Sequence, residues 1–389
     1  MKTLQQCPYC YAFFESSSRG ELECDDCFRR FRLVPLKPGT RISCQGRSFH
    51  LAEVRNGRVI PPRHGFAHES FRHPDLAMLR KKYGLAAILR GGRDEFHQQL
   101  ALKDWVCAAW LAGLPSVPSK DPSGSPDMHV DTMLTKSRTQ GYAYFCTYKA
   151  IATVELASAF GWTARLINNM GHMIYEIWSN QLNKWFLCDS LYNIHYEKGG
   201  VPLSARELRE EYYRNGGKDV RYCWGARSRD LGPAFCDGFR WYVVYMHNNF
   251  FDFPPGDHIV PVMMPLDKHN RGRFWRQGKQ EQVGRGHKYV CKGIVAEESD
   301  PLQLDLPINQ TQIFLLTAPD GLRARFHHNM PNFDHLAVRV DNGPWRKFKI
   351  QQKAEVEWTP ARSRGCLQAR CVNTRGVCGP ESRIEIVRG

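Results

Sequence analysis

The run from Gly141 to Asp189 reads GYAYFCTYKAIATVELASAFGWTARLINNMGHMIYEIWSNQLNKWFLCD, and its hydrophobic period changes partway along. Cys146 stands just before an apolar segment in which Ala150, Val154 and Ala157 recur at helical spacing, with Ile151 beside them. Gly161 supplies the stop signal. A cysteine at a helix N-terminus feels the positive end of the macrodipole, which favours thiolate over thiol. His172 to Trp178 then alternates as a strand, with His172, Ile174, Glu176 and Trp178 on one face and Met173, Tyr175 and Ile177 on the other. Lys184 to Asp189 reads as a second strand after a polar turn around Asn180 and Gln181. A hairpin with an even-numbered loop sets Trp178 opposite Asn183, Glu176 opposite Trp185, Ile174 opposite Leu187 and His172 opposite Asp189. Directly opposed Cβ atoms lie roughly 4.5–5.5 Å apart, within reach of an Asp–His hydrogen bond. A slip of one residue would turn the two side chains to opposite faces.

Cysteine, histidine and aspartate in this order are the parts of a nucleophilic centre. A thiolate attacks a carbonyl, an imidazolium stabilises it and later protonates the leaving group, and a carboxylate fixes the imidazole tautomer. Cys146 before its helix, the turn Gly161-Trp162-Thr163-Ala164-Arg165, Gly171-His172 with Glu176, and Trp185 before Asp189 carry a family likeness. So do Asn193-Ile194-His195-Tyr196 and Gly200-Val201-Pro202-Leu203-Ser204. Together they resemble the core of the transglutaminase-like superfamily of papain-related cysteine enzymes, over about Leu76 to Tyr213. The resemblance implies catalytic roles for Cys146, His172 and Asp189, and an oxyanion-hole role for Gln140, six residues before the cysteine. It implies a protein or peptide amide as substrate and a thioester intermediate. Water as acceptor gives hydrolysis, and an amine gives crosslinking. Tyr144 stands where members usually carry glycine, and Thr163 replaces the usual proline. Two other readings are a non-catalytic adaptor built on a degenerate domain, and a peptide N-glycanase-like amidase. In N-glycanases, however, the zinc knuckles sit much closer to the nucleophile than Cys27 does to Cys146.

At the N-terminus, Cys7-Pro-Tyr-Cys10 and Cys24-Asp-Asp-Cys27 form two CxxC pairs, offering four soft ligands for one tetrahedral Zn²⁺. A closed site of four thiolates is structural, and no metal is expected in the catalytic step. Of 14 cysteines, nine remain after these four and Cys146, an odd number scattered along the chain. That pattern argues against a disulfide framework and for a reducing compartment, the cytoplasm. No stretch approaches the roughly 20 apolar residues that span a bilayer. The net charge of +15 favours anionic partners without identifying them.

The fold class expected is α+β, in five segments. Residues 1–36 read as a zinc ribbon, 37–75 as a connecting segment, 76–265 as the papain/transglutaminase-like core, 266–300 as a basic linker and 301–389 as a β-sandwich. In the connecting segment, His64, His68 and His73 read as surface residues among Pro and Gly punctuation. Residues 115–127 form a Pro/Ser-rich loop. Ser204 and Glu207 form a capping box for a helix reaching Tyr213. The aromatic-rich stretch 216–265 reads mainly as core. Residues 268–292 place eight Lys and Arg among Phe274, Trp275 and Tyr289, a solvated loop by its glycines or a binding segment for a polyanion. From about Leu302, strands alternate with turns such as Asp341-Asn342-Gly343, and the last hairpin resembles that of fibronectin type III-like modules. His327, His328 and His335 read there as surface residues.

Overall fold

The computed structural model describes all residues except 1–2, 19, 110–128, 170–171, 226–241, 252–261, 266–293, 299, 320, 350–354 and 361–362. The Pro/Ser-rich loop and the basic 268–292 segment lie outside the described residues. The fold is mixed α and β, and the chain divides into two compact units: Met1–Ile60 with Pro307–Gly389, and Pro61–Leu306.

In the first unit, two small hairpins carry the CxxC pairs: β1 (Thr3–Gln6) with β2 (Phe13–Ser16), and β3 (Leu22–Glu23) with β4 (Arg30–Phe31). The next residues depart from the expected connecting segment. β5 (Arg41–Cys44) and β6 (Arg47–Arg55) form a hairpin closed by Gln45 and Gly46, both at positive φ (50° and 69°), as a type I′ turn requires. Their inward residues Ile42, Cys44, Phe49 and Leu51 enter the same core as the C-terminal strands. β6 pairs with β24 (Ser382–Arg388), so the N-terminal segment extends the C-terminal sheet. That sheet runs β21 (Arg346–Phe348), β20 (Phe333–Val340), β23 (Arg364–Asn373), β24, β6, β5. A second sheet of β18 (Thr311–Ala318), β19 (Gly321–His328) and β22 (Glu355–Trp358) contributes Leu315, Phe326 and Trp358 to the shared core. The sandwich is therefore built from both ends of the chain, not from 301–389 alone. His327 and His328 are not surface residues. They stack on Tyr11 (3.9 Å between centroids) and Phe333 (3.8 Å), and burial pushes both imidazoles down to about 4.

The second unit centres on one sheet in the order β12 (Val201–Pro202), β11 (Ile194–Lys198), β10 (Lys184–Asp189), β9 (His172–Ser179), β8 (Ala164–Asn169), β14 (Val243–Tyr245), β16 (Val262–Pro265), β17 (Ile294–Glu298). β13 (Arg221–Trp224) also pairs with β11. β17 falls within the expected basic linker, so the end of that segment belongs to the sheet. Two further strands, β7 (Ala67–His68) and β15 (His247–Asn248), pair in parallel. His68 contradicts its surface reading, because its Nδ1 is buried.

The helices explain the sheet's burial pattern. α1 (Pro74–Lys82) and α2 (Ala86–Leu89) are separated at Gly84, whose φ of 59° suits glycine. α3 (Glu95–Ala109), α4 (Val130–Gln140) and α5 (Cys146–Phe160) follow. α5 is buried on nearly every side, because α1, α3 and α4 flank it and β8 and β9 lie beneath it. Met173, Tyr175, Ile177, Phe186 and Cys188 face this helical layer. Ile174 and Leu187 face the opposite layer, where α6 (Ala205–Asn215) brings Ala205 and Leu208. Ser204 and Glu207 form the expected capping box. On this second face Arg165 and Glu176, directly paired across β8 and β9, make a buried two-point ion pair (2.8 and 2.6 Å). Glu176 also accepts the backbone N–H of Ala205 at the start of α6 (2.7 Å).

The hairpin register differs from the sequence expectation by two residues. Ser179 faces Lys184, Trp178 faces Trp185, Glu176 faces Leu187 and Tyr175 faces Cys188. The loop is Asn180–Asn183, one residue further along than the expected pairing leaves it, with Asn183 at φ 53°. Glu95 at the start of α3 holds it open by accepting Asn180 Nδ2–H and Gln181 N–H (2.9 and 2.8 Å). A shift of two preserves the side-chain faces, whereas a shift of one would have exchanged them.

Candidate functional site

Cys146 is the first residue of α5, after an extended Phe145. The first backbone N–H groups of any helix lack intrahelical partners, and here they surround the sulfur's position on the chain. His172 opens β9, and Asp189 closes β10. The observed register no longer sets these two opposite one another, yet His172 Nε2 lies 2.7 Å from Asp189 Oδ2. The contact is diagonal, within the reach of neighbouring pairs on one face. Asp189 is only 1% exposed, and its other oxygen accepts the N–H groups of Leu191 (2.7 Å) and Tyr192 (3.1 Å). The Tyr192 ring tilts against the imidazole at 5.3 Å. Both faces of the carboxylate are thus committed, one to the imidazole and one to the turn after β10.

The electrostatics connect the three residues. Burial disfavours a charged His172, but the Asp189 charge and hydrogen bond, and then the Cys146 sulfur, outweigh it and raise the imidazole to about 10. Burial likewise pushes the Cys146 thiol up. The hydrogen bond and positive charge of His172, with the backbone N–H of Met173, hold it below its ordinary value against the Asp189 charge. Cys146 is partly exposed and His172 is 17% exposed, so an external group can reach the pair. The arrangement favours a thiolate beside an imidazolium whose second nitrogen is fixed by a carboxylate.

Other sequence expectations fare differently. Gln140 is exposed on the last turn of α4, where Gly141 ends the helix at φ 70°. Its solvent-facing position leaves the backbone N–H groups of α5 as the donors nearest in sequence to the sulfur. Tyr144 does not project into solvent. It is 3% exposed and packs edge-on against Tyr148 at 5.1 Å. Sequence reasoning missed the Met173 N–H, because its direction depends on where β9 meets α5. It also missed Tyr245 on β14, where burial and then the nearby Cys146 charge raise the phenol to about 12, against the Asn168 hydrogen bond. The aromatic richness around Tyr245 was legible; its proximity to Cys146 arises from the pairing of β14 with β8.

In the first unit, the thiol sulfurs of Cys7, Cys10, Cys24 and Cys27 all lie within 4.8 Å of one another. Cys7 and Cys27 are 3.6 Å apart, and Cys10 and Cys24 are 3.5 Å apart. Tetrahedral arms of 2.3 Å place sulfurs about 3.8 Å apart, so the quartet fits one Zn²⁺. The two knuckles repeat one geometry. Cys7 N–H donates to Ala12 and Tyr11 N–H to Cys7, as Cys24 N–H donates to Arg29 and Phe28 N–H to Cys24. Tyr11 and Phe28 both hold positive φ, 67° and 55°.

No family model, curated protein or solved structure matches the chain. No helix among the described residues is long and apolar enough to cross a membrane.

Proposed function

We propose that the second unit is a transglutaminase-like cysteine enzyme acting on amide bonds of a protein or peptide. The observation that carries this reading is the chain of contacts from Cys146 through His172 to Asp189. Cys146 Sγ attacks the amide carbonyl and forms a carbon–sulfur bond. The developing oxyanion lies toward the free N–H groups at the start of α5, whose dipole favours negative charge. His172 gives its proton to the departing amine, which leaves the acyl group as a thioester on Cys146. His172, now neutral, takes a proton from water, and the resulting hydroxide releases the acid and frees the thiol. Asp189 keeps the imidazole in the tautomer that both steps need. Hydrolysis is the reading adopted, because transfer to an amine needs a cleft that disfavours water.

In this reading, Cys7, Cys10, Cys24 and Cys27 hold a structural Zn²⁺, and the sandwich is a fibronectin-like module. The described cysteines are all free, which supports a reducing compartment, the cytoplasm. A polyanion partner at 268–292 stays a proposal from charge alone.

The test is the iodoacetamide labelling rate of each cysteine at about pH 6, where a free thiol of pKa ~8.5 reacts slowly. Fast labelling at Cys146 that collapses in His172→Ala supports the thiolate–imidazolium pair. Slow labelling that ignores His172 overturns it and favours an adaptor, which a pull-down with Cys146→Ser would then pursue. If the pair is present, release of glycan from a denatured glycopeptide separates an N-glycanase from a peptide hydrolase.

A further inference from the structure

A second group of metal-ligating side chains lies in the second unit, on the far side of β10 from β9. β13 pairs with β11 so that His195 faces Cys223 and Glu197 faces Arg221. Residues two apart on a strand share a face, and direct partners share it too. The register therefore gathers His195, Glu197 and Cys223 onto one patch of the sheet. Their donor atoms, one from each residue, all lie within 4.8 Å of one another.

Two features of this patch point to a ligand. His195 is 8% exposed, and its Nδ1 is buried with no hydrogen-bond partner, while Nε2 meets Glu197 Oε1 at 3.0 Å. The two ring nitrogens point away from each other, so Nε2, which faces Glu197, is the atom that joins the donor cluster, and Nδ1 lies outside it. The other feature is the division of labour on Glu197. Its Oε1 faces the imidazole, and its Oε2 accepts a hydrogen bond from Arg221, whose side chain is 69% exposed. Outer partners of this kind orient a ligating carboxylate. Phe96 of α3 meets the His195 ring edge-on at 5.9 Å and fixes its plane.

We propose that His195, Glu197 and Cys223 form a zinc-type cation site with three protein ligands and one open position. The donor set is mixed, with an imidazole nitrogen, a carboxylate oxygen and a sulfur. It suits a borderline-soft ion such as Zn²⁺ over the hard, all-oxygen preference of Ca²⁺ or Mg²⁺. Arms of about 2.0–2.1 Å set nitrogen and oxygen ligands about 3.3 Å apart, close to the separation of His195 Nε2 and Glu197 Oε1. Binding displaces the proton of the Cys223 thiol, and the resulting thiolate and carboxylate balance the divalent charge. The nearby cations Lys103 and Arg221 oppose occupancy, so the site is weaker than the four-cysteine cluster. Three protein ligands leave room for a water or an incoming group, unlike the closed cysteine quartet. His195 also pairs with Cys188, next to Asp189, so the ion would sit one strand from the proposed triad.

The experiment is zinc content per full-length chain, measured by elemental mass spectrometry after loading with Zn²⁺ and desalting. Wild type, Cys223→Ser, His195→Gln and the double variant Cys10→Ser/Cys27→Ser are compared, with folding checked by circular dichroism. The expected result is two ions in wild type and one in each variant. If wild type holds one ion that the double variant keeps and Cys223→Ser loses, this site stands while the ribbon reading fails. Zinc content equal in wild type, Cys223→Ser and His195→Gln overturns the proposal. His195→Gln preserves the volume beside Phe96, so a folding defect in Cys223→Ser leaves the test intact.

Discussion

Cys7 and Cys146 have the same side chain and opposite electrostatics. Burial pushes the Cys7 thiol up to about 12, among three other cysteines. Cys146 is also desolvated, yet it is held below its ordinary value because an imidazole backed by a carboxylate stands beside it. Desolvation alone makes a thiol inert; a partner of opposite charge makes it reactive. Cys7 needs a cation from outside the chain to become thiolate, whereas Cys146 has its cation supplied by β9. The first arrangement suits a structural centre and the second a chemical one.

The comparison breaks most visibly if the external cation is removed. The Cys10→Ser/Cys27→Ser variant is expected to unfold the ribbon, an effect of order 10 kcal/mol on the scale at which zinc holds small modules folded. Limited trypsin digestion should then cut at Arg29, Arg30 and Arg32, while Cys146 labelling stays at its wild-type rate. Loss of both would show that the two centres are one cooperative system. Asp189→Asn attacks the other side of the contrast, since an asparagine cannot hold the productive tautomer of His172. Amide turnover is expected to fall by roughly 10⁴-fold with the fold intact. A loss below tenfold would leave Asp189 a merely structural strand-end residue.

The same contrast has a pH signature. The imidazolium of His172 persists until pH approaches its value of about 10. Because the folded value lies above the unfolded ~6.5, the pair's stabilisation is complete below pH 6.5 and fades as pH rises toward 10. A control sits elsewhere on the same sheet, at the Arg165–Glu176 pair. Glu176→Gln leaves Arg165 buried without its counter-charge, at a cost of about 3–5 kcal/mol. Chemical denaturation should report that loss, and the labelling rate of the folded protein at pH 6 should not move. A change in labelling would mean that the buried ion pair and the Cys146 centre are coupled.

The readable parts of the site are those carried by short-range signals. Apolar spacing after Cys146 and the αL glycine Gly161 mark both ends of α5, which runs from Cys146 to Phe160. Alternation from His172 to Trp178 assigns faces, and the two faces enter different cores as alternation requires. The contact between His172 and Asp189 survived a mistaken register because the error was two residues, the strand's own period. The missed parts are long-range. β5 and β6 sit in a stretch punctuated by turns, and they become sheet only through β24, more than 300 residues later. Gln140 has the spacing of an oxyanion donor, but the chain ends α4 there and exposes it.

Local signals in the chain were enough to specify the chemical inventory: two CxxC knuckles, a cysteine at a helix start, a histidine and an aspartate in strands, and a capped α6. Each rests on interactions spanning a few residues, which caps, turns and periodicity report directly. Tertiary structure alone decided which donor atoms meet. A four-residue loop anchored by Glu95 set the β9–β10 register, and the pairing of β11 with β13 brought His195 and Glu197 to Cys223. Strand pairing is a choice among registers of similar local energy, and packing on both faces of the sheet makes it.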